Sequence, residues 1–231
     1  MKKLFSIFVF VTCFVIAKSQ QTQTAPPPFK TVTIGTQIWS AEDYAPTTFR
    51  NGDKIPVAES EEEWVNAGRE KKPATCKYCI YPFSGDPVCK TLYNFYVISD
   101  PRGFTPVGWN VATDENWKEL EIYLGMSKVS ADSSGIRGTT EALQLKNTSD
   151  WISTDVMKNC AGNNSSGFAA KPTGARLSTG KMIQFYEEAL WWTSSYYDDN
   201  AVFRSVKCSN KIERQGSSKT SGMAVRLVKI K

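Results

Sequence analysis

The chain has 231 residues and a formal net charge of +5, and it contains no histidine. The missing imidazole excludes Ser-His-Asp and Cys-His catalysis and any His-ligated zinc or haem. Three basic residues, Lys2, Lys3 and Lys18, carry most of the charge excess at the extreme N-terminus, and no Lys/Arg run alternates with aromatics, so no nucleic-acid partner is predicted.

Lys2 and Lys3 precede an apolar run from Leu4 to Ala17, and Ala17-Lys18-Ser19 offers small residues for cleavage before Gln20. Residues 1–19 are therefore predicted to be a secretory signal peptide. The run is shorter than the ~20 apolar residues of a spanning helix. No membrane span is expected after cleavage, and the protein is expected to be secreted, periplasmic or at the cell surface. Residues 20–28 are polar and proline-rich and read as a short tether. Residues 29–231 are long enough for one sizeable core and are read as one domain.

Val32, Ile34, Ile38 and Trp39 around Gly35 predict a strand pair with a tight turn. Glu61 to Ala67 predicts a short helix that carries acids on its first turn and ends at Gly68. Residues 73–91, rich in Pro, Gly, Cys and Lys, read as a loop stapled by cysteines. Leu92 to Ile98 reads as a buried strand. Pro101-Arg102-Gly103 and Pro106-Val107-Gly108 mark turns. Asp114 to Leu124 predicts the clearest helix: Thr113 suits the N-cap, Trp117, Leu120 and Leu124 share a face, and Gly125 ends it. A weaker helix is expected near Thr139–Lys146. Leu190–Tyr197, Ala201–Lys207 and Gly222–Ile230 are predicted strands, separated by Asp198-Asp199-Asn200 and Gln215-Gly216-Ser217-Ser218. The fold class is α+β, with short helices and a mostly antiparallel C-terminal sheet.

Five cysteines follow the leader, namely Cys76, Cys79, Cys89, Cys160 and Cys208. Export makes pairing the default, and the odd number leaves a thiol over. Cys89 is expected to pair with Cys76 or Cys79; Cys76–Cys89 is the pairing carried forward. Cys76-Lys77-Tyr78-Cys79 lacks a second C-x2-C or a His pair, so no metal is expected. Asp198-Asp199-Asn200 is a compact oxygen cluster, but a hard cation needs six to eight oxygens, and a solvated turn is the simpler assignment. Asn147-Thr148-Ser149 and the Asn163–Ser166 stretch fit glycosylation sequons and read as polar loops.

The adjacent rings Trp191 and Trp192 point to opposite faces of a strand, so one of them needs a cover or a ligand. Trp192, Tyr196, Tyr197, Asp198 and Asp199, with Arg204 as a donor, are therefore the candidate ligand-binding residues, alongside the segment Gln215–Ser221. Trp39, Trp109, Trp117 and Trp191 read as core.

Several strings occur together in order: Val32–Trp39 (VTIGTQIW), Phe49–Pro56 (FRNGDKIP), Leu92–Tyr96 (LYNFY), Pro106–Trp117 (PVGWNVATDENW), Ser166-Gly167-Phe168, Trp191–Ser195 (WWTSS) and Gly222–Arg226 (GMAVR). In this order the chain resembles the Fibrobacter succinogenes major paralogous domain over nearly all of residues 30–231. The resemblance implies a C-type-lectin-like fold in secreted or cell-surface proteins of Bacteroidota and relatives, without an established enzymatic activity or cofactor. It also implies a Cys160–Cys208 bridge, because such a fold brings its C-terminal strands back against a central loop. The family often has His and Pro where this chain has Asn110 and Ala112, and Cys where it has Leu227. The expected function is a non-catalytic binding module for carbohydrate or a surface protein. The alternatives are a structural adhesin or appendage subunit, and an enzyme like those that generate formylglycine.

Overall fold

The computed structural model describes residues 27–80, 88–151, 160–183 and 186–230. The expected leader and nearly all of the tether lie outside the described residues. The fold is mixed α+β, mostly sheet, with short helices.

Gly35, at φ +60°, turns β1 (Thr31–Ile34) back onto β2 (Gln37–Ser40), as the sequence predicts. Helix α1 (Glu61–Arg69) begins where the Ser60 hydroxyl accepts from Glu63 N at 3.1 Å, and Glu63 Oε2 returns the contact by accepting from Glu59 N. Trp64 is its buried anchor.

The segment expected to be a loop is a hairpin. Strand β3 (Thr75–Ile80) pairs antiparallel with β4 (Val88–Asn94), residue for residue from Thr75↔Tyr93 to Ile80↔Val88. Its Lys, Thr and Cys residues gave little strand signal, and cross-strand pairing overrides that weakness. The apolar run Leu92–Ile98 also departs from expectation. It leaves the sheet at Asn94, whose side chain accepts from Val97 N and caps α2 (Phe95–Ile98).

Helix α3 (Asp114–Tyr123) follows β5 (Trp109–Val111) and carries a capping box. Thr113 Oγ1 accepts from Asn116 N at 3.1 Å, and Asn116 Oδ1 accepts from Thr113 N at 3.0 Å. Helix α4 (Lys128–Asp132), β6 (Gly135–Arg137) and α5 (Glu141–Leu145) lead to the two-residue strands β7 (Ala175–Arg176) and β8 (Met182–Ile183). Strands β9 (Ala189–Tyr197) and β10 (Asn200–Val206) form the expected hairpin. Beyond them, Gln215–Ser218 is not a separator. It belongs to β11 (Ile212–Ser218), a polar strand paired with β10 along its whole length.

The predicted strand Gly222–Ile230 is two strands in different sheets, β12 (Gly222–Val225) and β13 (Leu227–Lys229). The break falls at Arg226, whose buried guanidinium donates to Ser40 O, Phe168 O and Asp43 Oδ1. The small sheet runs β1-β2-β13-β5, and the large one β3-β4-β12-β9-β10-β11-β6 with β7 and β8 off its side. All pairings are antiparallel except β12 with β9.

The buried residues fall into three clusters. In the largest, Trp39, Trp117, Phe168 and Trp191 meet edge-on or tilted with ring centroids 5.2 to 5.7 Å apart. Such pairs add about 0.5–1.5 kcal/mol each beyond the area they bury. Trp192 belongs to a separate cluster with Phe95, Leu190, Phe203 and Met223. The large sheet is therefore covered on both faces at β9, which is how two adjacent tryptophans are both buried.

Candidate functional site

Strands β9, β10 and β11 present two faces, and their register assigns each side chain to one of them. Trp191, Arg204 and Arg214 lie directly across from one another on the face that meets α3. Leu190, Ser205 and Glu213 share the other face, as do Trp192, Phe203 and Gln215, and Tyr196, Ala201 and Ser217.

The α3 face is closed by ion pairs. Arg204 is fully buried; its Nε lies 2.7 Å from Glu121 Oε1 and its Nη1 2.8 Å from Asp114 Oδ1. Arg137 Nη2 takes the second oxygen of Glu121 at 2.8 Å, and Arg214 Nη2 takes Asp114 Oδ2 at 2.6 Å. Burial raises the Asp114 pKa, but the Arg214 hydrogen bond and the Arg204 charge outweigh it and hold the carboxyl well below the usual carboxylate range. Arg204, expected as a ligand donor, is thus committed to the protein interior. Nothing in the sequence marked Glu121 as its partner, because an acid mid-helix normally faces water.

Trp192 is also withdrawn from any ligand. Its ring is fully buried against Phe95, and its Nε1 donates to Tyr93 O at 2.9 Å. Its cover is Phe95, Phe203 and Met223. Tyr196 and Tyr197 remain at the surface, 62% and 52% exposed. The Lys219 ammonium sits 4.1 Å from the Tyr196 ring centre, and the Tyr197 hydroxyl crosses Gly216, where any Cβ would collide with it. Asp198 turns the hairpin at φ +47°. Asp199 pairs with Lys71 at 3.4 Å, and the Asp198 carbonyl accepts from Lys219 Nζ. These acids shape a solvated turn, and no group of His, Cys, Asp and Glu suited to a metal ion occurs among the described residues.

The open face holds a cleft of about 220 Å³. Leu190, Phe203 and Met223 form its apolar floor, and Glu188, Lys207 and Glu213 form a charged wall. Ser217, in register with Tyr196 through Ala201, carries the cleft toward the exposed tyrosine. Lys207 Nζ bridges Glu188 Oε1 at 3.4 Å and Glu213 Oε2 at 3.1 Å. Glu188 is 2% exposed, and among the described residues its Oε2 accepts no hydrogen bond. Burial raises its pKa against the opposing pull of Ser205 and Lys207. A carboxyl left in this state is expensive, about 1–3 kcal/mol, and a ligand hydroxyl donating to it would recover that cost. Sequence reasoning missed Glu188 because the pair Glu187-Glu188 stands just before the apolar run and reads as a solvated strand entry.

The cysteines follow the strand register. Cys79 lies directly across from Cys89 and is bonded to it, while Cys76 faces Leu92 and stays a buried thiol. The expected Cys76–Cys89 pairing is therefore replaced by Cys79–Cys89. Burial pushes the Cys76 thiol up, with Arg176 pulling the other way. The second disulfide joins Cys160 to Cys208. Among the described residues no helix is long and apolar enough to cross a membrane.

Fold and site together define a disulfide-bonded α+β protein with one closed and one open face on its main sheet. The model of the Fibrobacter succinogenes major domain matches residues 32–229, and the chain belongs to that family. No curated protein and no solved structure matches it.

Proposed function

We propose that this chain is an exported, non-catalytic binding module of C-type-lectin-like architecture that holds carbohydrate on the open face of its main sheet. The observation that carries this is Glu188, a buried carboxyl with one oxygen that has no partner among the described residues, at the wall of an apolar-floored cleft. Saccharides present hydroxyl donors and apolar ring faces together. Glu188 and Glu213 supply acceptors for the first, and Phe203 and the exposed Tyr196 supply surfaces for the second. The cleft is smaller than an enclosed small-molecule pocket, so it takes the edge of one sugar ring while Tyr196 flanks the next. Two disulfides support an oxidising, extracytoplasmic location.

The test is a glycan array on the mature protein, followed by calorimetry on the best hit. Glu188→Gln should weaken binding by about tenfold, as expected for a lost hydrogen bond to a charged group. An array without hits, or a hit indifferent to Glu188→Gln and Tyr196→Ala, refutes the proposal. Export is tested separately by mass spectrometry of the secreted or periplasmic fraction, where the N-terminus should be Gln20; intact Met1 in a membrane fraction would overturn it.

A further inference from the structure

A second cleft, of about 420 Å³, lies beside the Cys79–Cys89 disulfide and shares no residue with the first. Its walls carry Lys30, Glu42, Asp43, Lys90, Lys171 and Arg226, and Thr173 stands among them.

The charges divide into those already used and those left over. Asp43 Oδ1 accepts from Trp191 Nε1 at 2.8 Å and from Arg226 Nε at 2.7 Å, while Arg226 spends further donors on backbone carbonyls. Those contacts occupy Oδ1 of Asp43 and most of the Arg226 donors. Lys171 is held by Asp150 at 3.3 Å. Lys90 has no such partner: it is half-buried, and among the described residues no acid lies within ion-pair reach and no acceptor takes its protons. Burial lowers its pKa; Asp43 and Asp150 oppose this, and Lys171 and Arg226 add to it. Thr173 is 1% exposed, and among the described residues its Oγ1 makes no hydrogen bond. A partly buried ammonium with no acid in ion-pair reach and a buried hydroxyl therefore border one concave space. Proteins rarely leave a buried hydroxyl such as that of Thr173 unpaired.

We propose that this second cleft binds a sugar acid, through a carboxylate received by Lys90 and Thr173. One carboxylate accepts from both donors at once, and an ammonium–carboxylate contact is among the stronger hydrogen bonds available. The hydroxyls of the same ligand donate to Glu42 and to the unused oxygen of Asp43. Those two acids favour a ligand that brings several hydroxyl donors over a compact dianion such as phosphate. A neutral sugar would leave the Lys90 charge unmet. The volume lies within the range of small-molecule sites.

The test is calorimetry at low salt on the whole mature protein, with sodium glucuronate, glucose and inorganic phosphate as separate probes. Glucuronate should bind at least about tenfold more tightly than glucose, as one charge-assisted contact implies. Lys90→Met should erase that preference, Thr173→Val should weaken glucuronate by several-fold, and Lys90→Arg should restore part of the binding. Circular dichroism establishes that each variant is folded. Lys128→Met, at an exposed lysine that lines neither cleft, should leave glucuronate binding unchanged. The proposal is overturned if glucuronate and glucose bind alike, or if phosphate binds as well as glucuronate. It is also overturned if a folded Lys90→Met keeps the preference, or if Lys128→Met weakens glucuronate as much as Lys90→Met does.

Discussion

The same three strands, β9, β10 and β11, carry two faces that treat buried charge in opposite ways. On the α3 face, Arg204, Glu121, Asp114, Arg137 and Arg214 form ion pairs with one another at 2.6 to 2.8 Å. On the other face, Glu188 is buried to the same degree yet keeps an oxygen without a partner beside an open cleft. Burial alone therefore does not distinguish structure from function here. The difference lies in whether the buried group has its partners inside the protein. A closed network fixes the packing of a helix on a sheet, whereas an open one is prepared for something that arrives from outside.

The largest effects should come from breaking the closed side and the shared core. Arg204→Met strands Glu121 and Asp114 with fewer cations and should cost about 3–5 kcal/mol of stability in chemical denaturation. Trp192→Ala should cost about as much, since it empties the cluster of Phe95, Phe203 and Met223. A loss below about 1 kcal/mol would mean, for Arg204, that the α3 face is not closed in the sense argued and, for Trp192, that its cluster is not core, because ordinary surface changes stay within that range.

The two faces should also answer pH with opposite sign. The Asp114 pKa is lowered in the folded protein, so its contribution to stability is present above the ordinary carboxylate value of 3.8 and is lost as pH falls through its folded value. The Glu188 pKa is raised, so the folded state holds that proton more tightly and its contribution falls as pH rises just above 4.5. Glu188→Gln should remove that fall and change stability at neutral pH by no more than about 1 kcal/mol. Asp114→Asn should blunt acid denaturation instead. Denaturation midpoints measured against pH for both variants check the signs, and identical profiles would dissolve the contrast between the faces.

Much of the architecture was legible where local signals agree with the fold. The α3 helix carried its cap, its apolar stripe and its terminal glycine in the sequence, and β9 and β10 showed apolar runs divided by an acidic turn. The hairpin β3–β4 and strand β11 were hidden because their residues are polar and owe their conformation to a partner strand. The split of the last strand at Arg226 was hidden too, since only tertiary contacts explain a guanidinium in the interior. For the site, alternation correctly separated the faces of Trp191 and Trp192. It could not show that Phe95, from a distant helix, covers the second ring, nor that Glu121 claims Arg204. What remained of the expected surface is its exposed part, Tyr196 and Tyr197 with the Asp198–Asp199 turn.

The smallest effect on stability, and the sharpest on binding, should come from Tyr196→Ala. The ring is 62% exposed and touches the fold through Phe95, at 5.6 Å between centres, and through the Lys219 ammonium. Surface truncations of this kind stay within about 0.5 kcal/mol. An aromatic face that stacks on a sugar ring is worth about 0.5–1.5 kcal/mol, which corresponds to a roughly two- to twelvefold loss of affinity. Tyr197→Ala gives the internal control, because the Tyr197 hydroxyl is turned across Gly216, on the α3 side of the sheet. A glycan identified on the array should therefore bind the Tyr196 variant several-fold more weakly at an unchanged melting temperature, and the Tyr197 variant normally. If both substitutions weaken binding equally, the ligand lies over the hairpin tip rather than along the open face, and Glu188 loses its part in holding it.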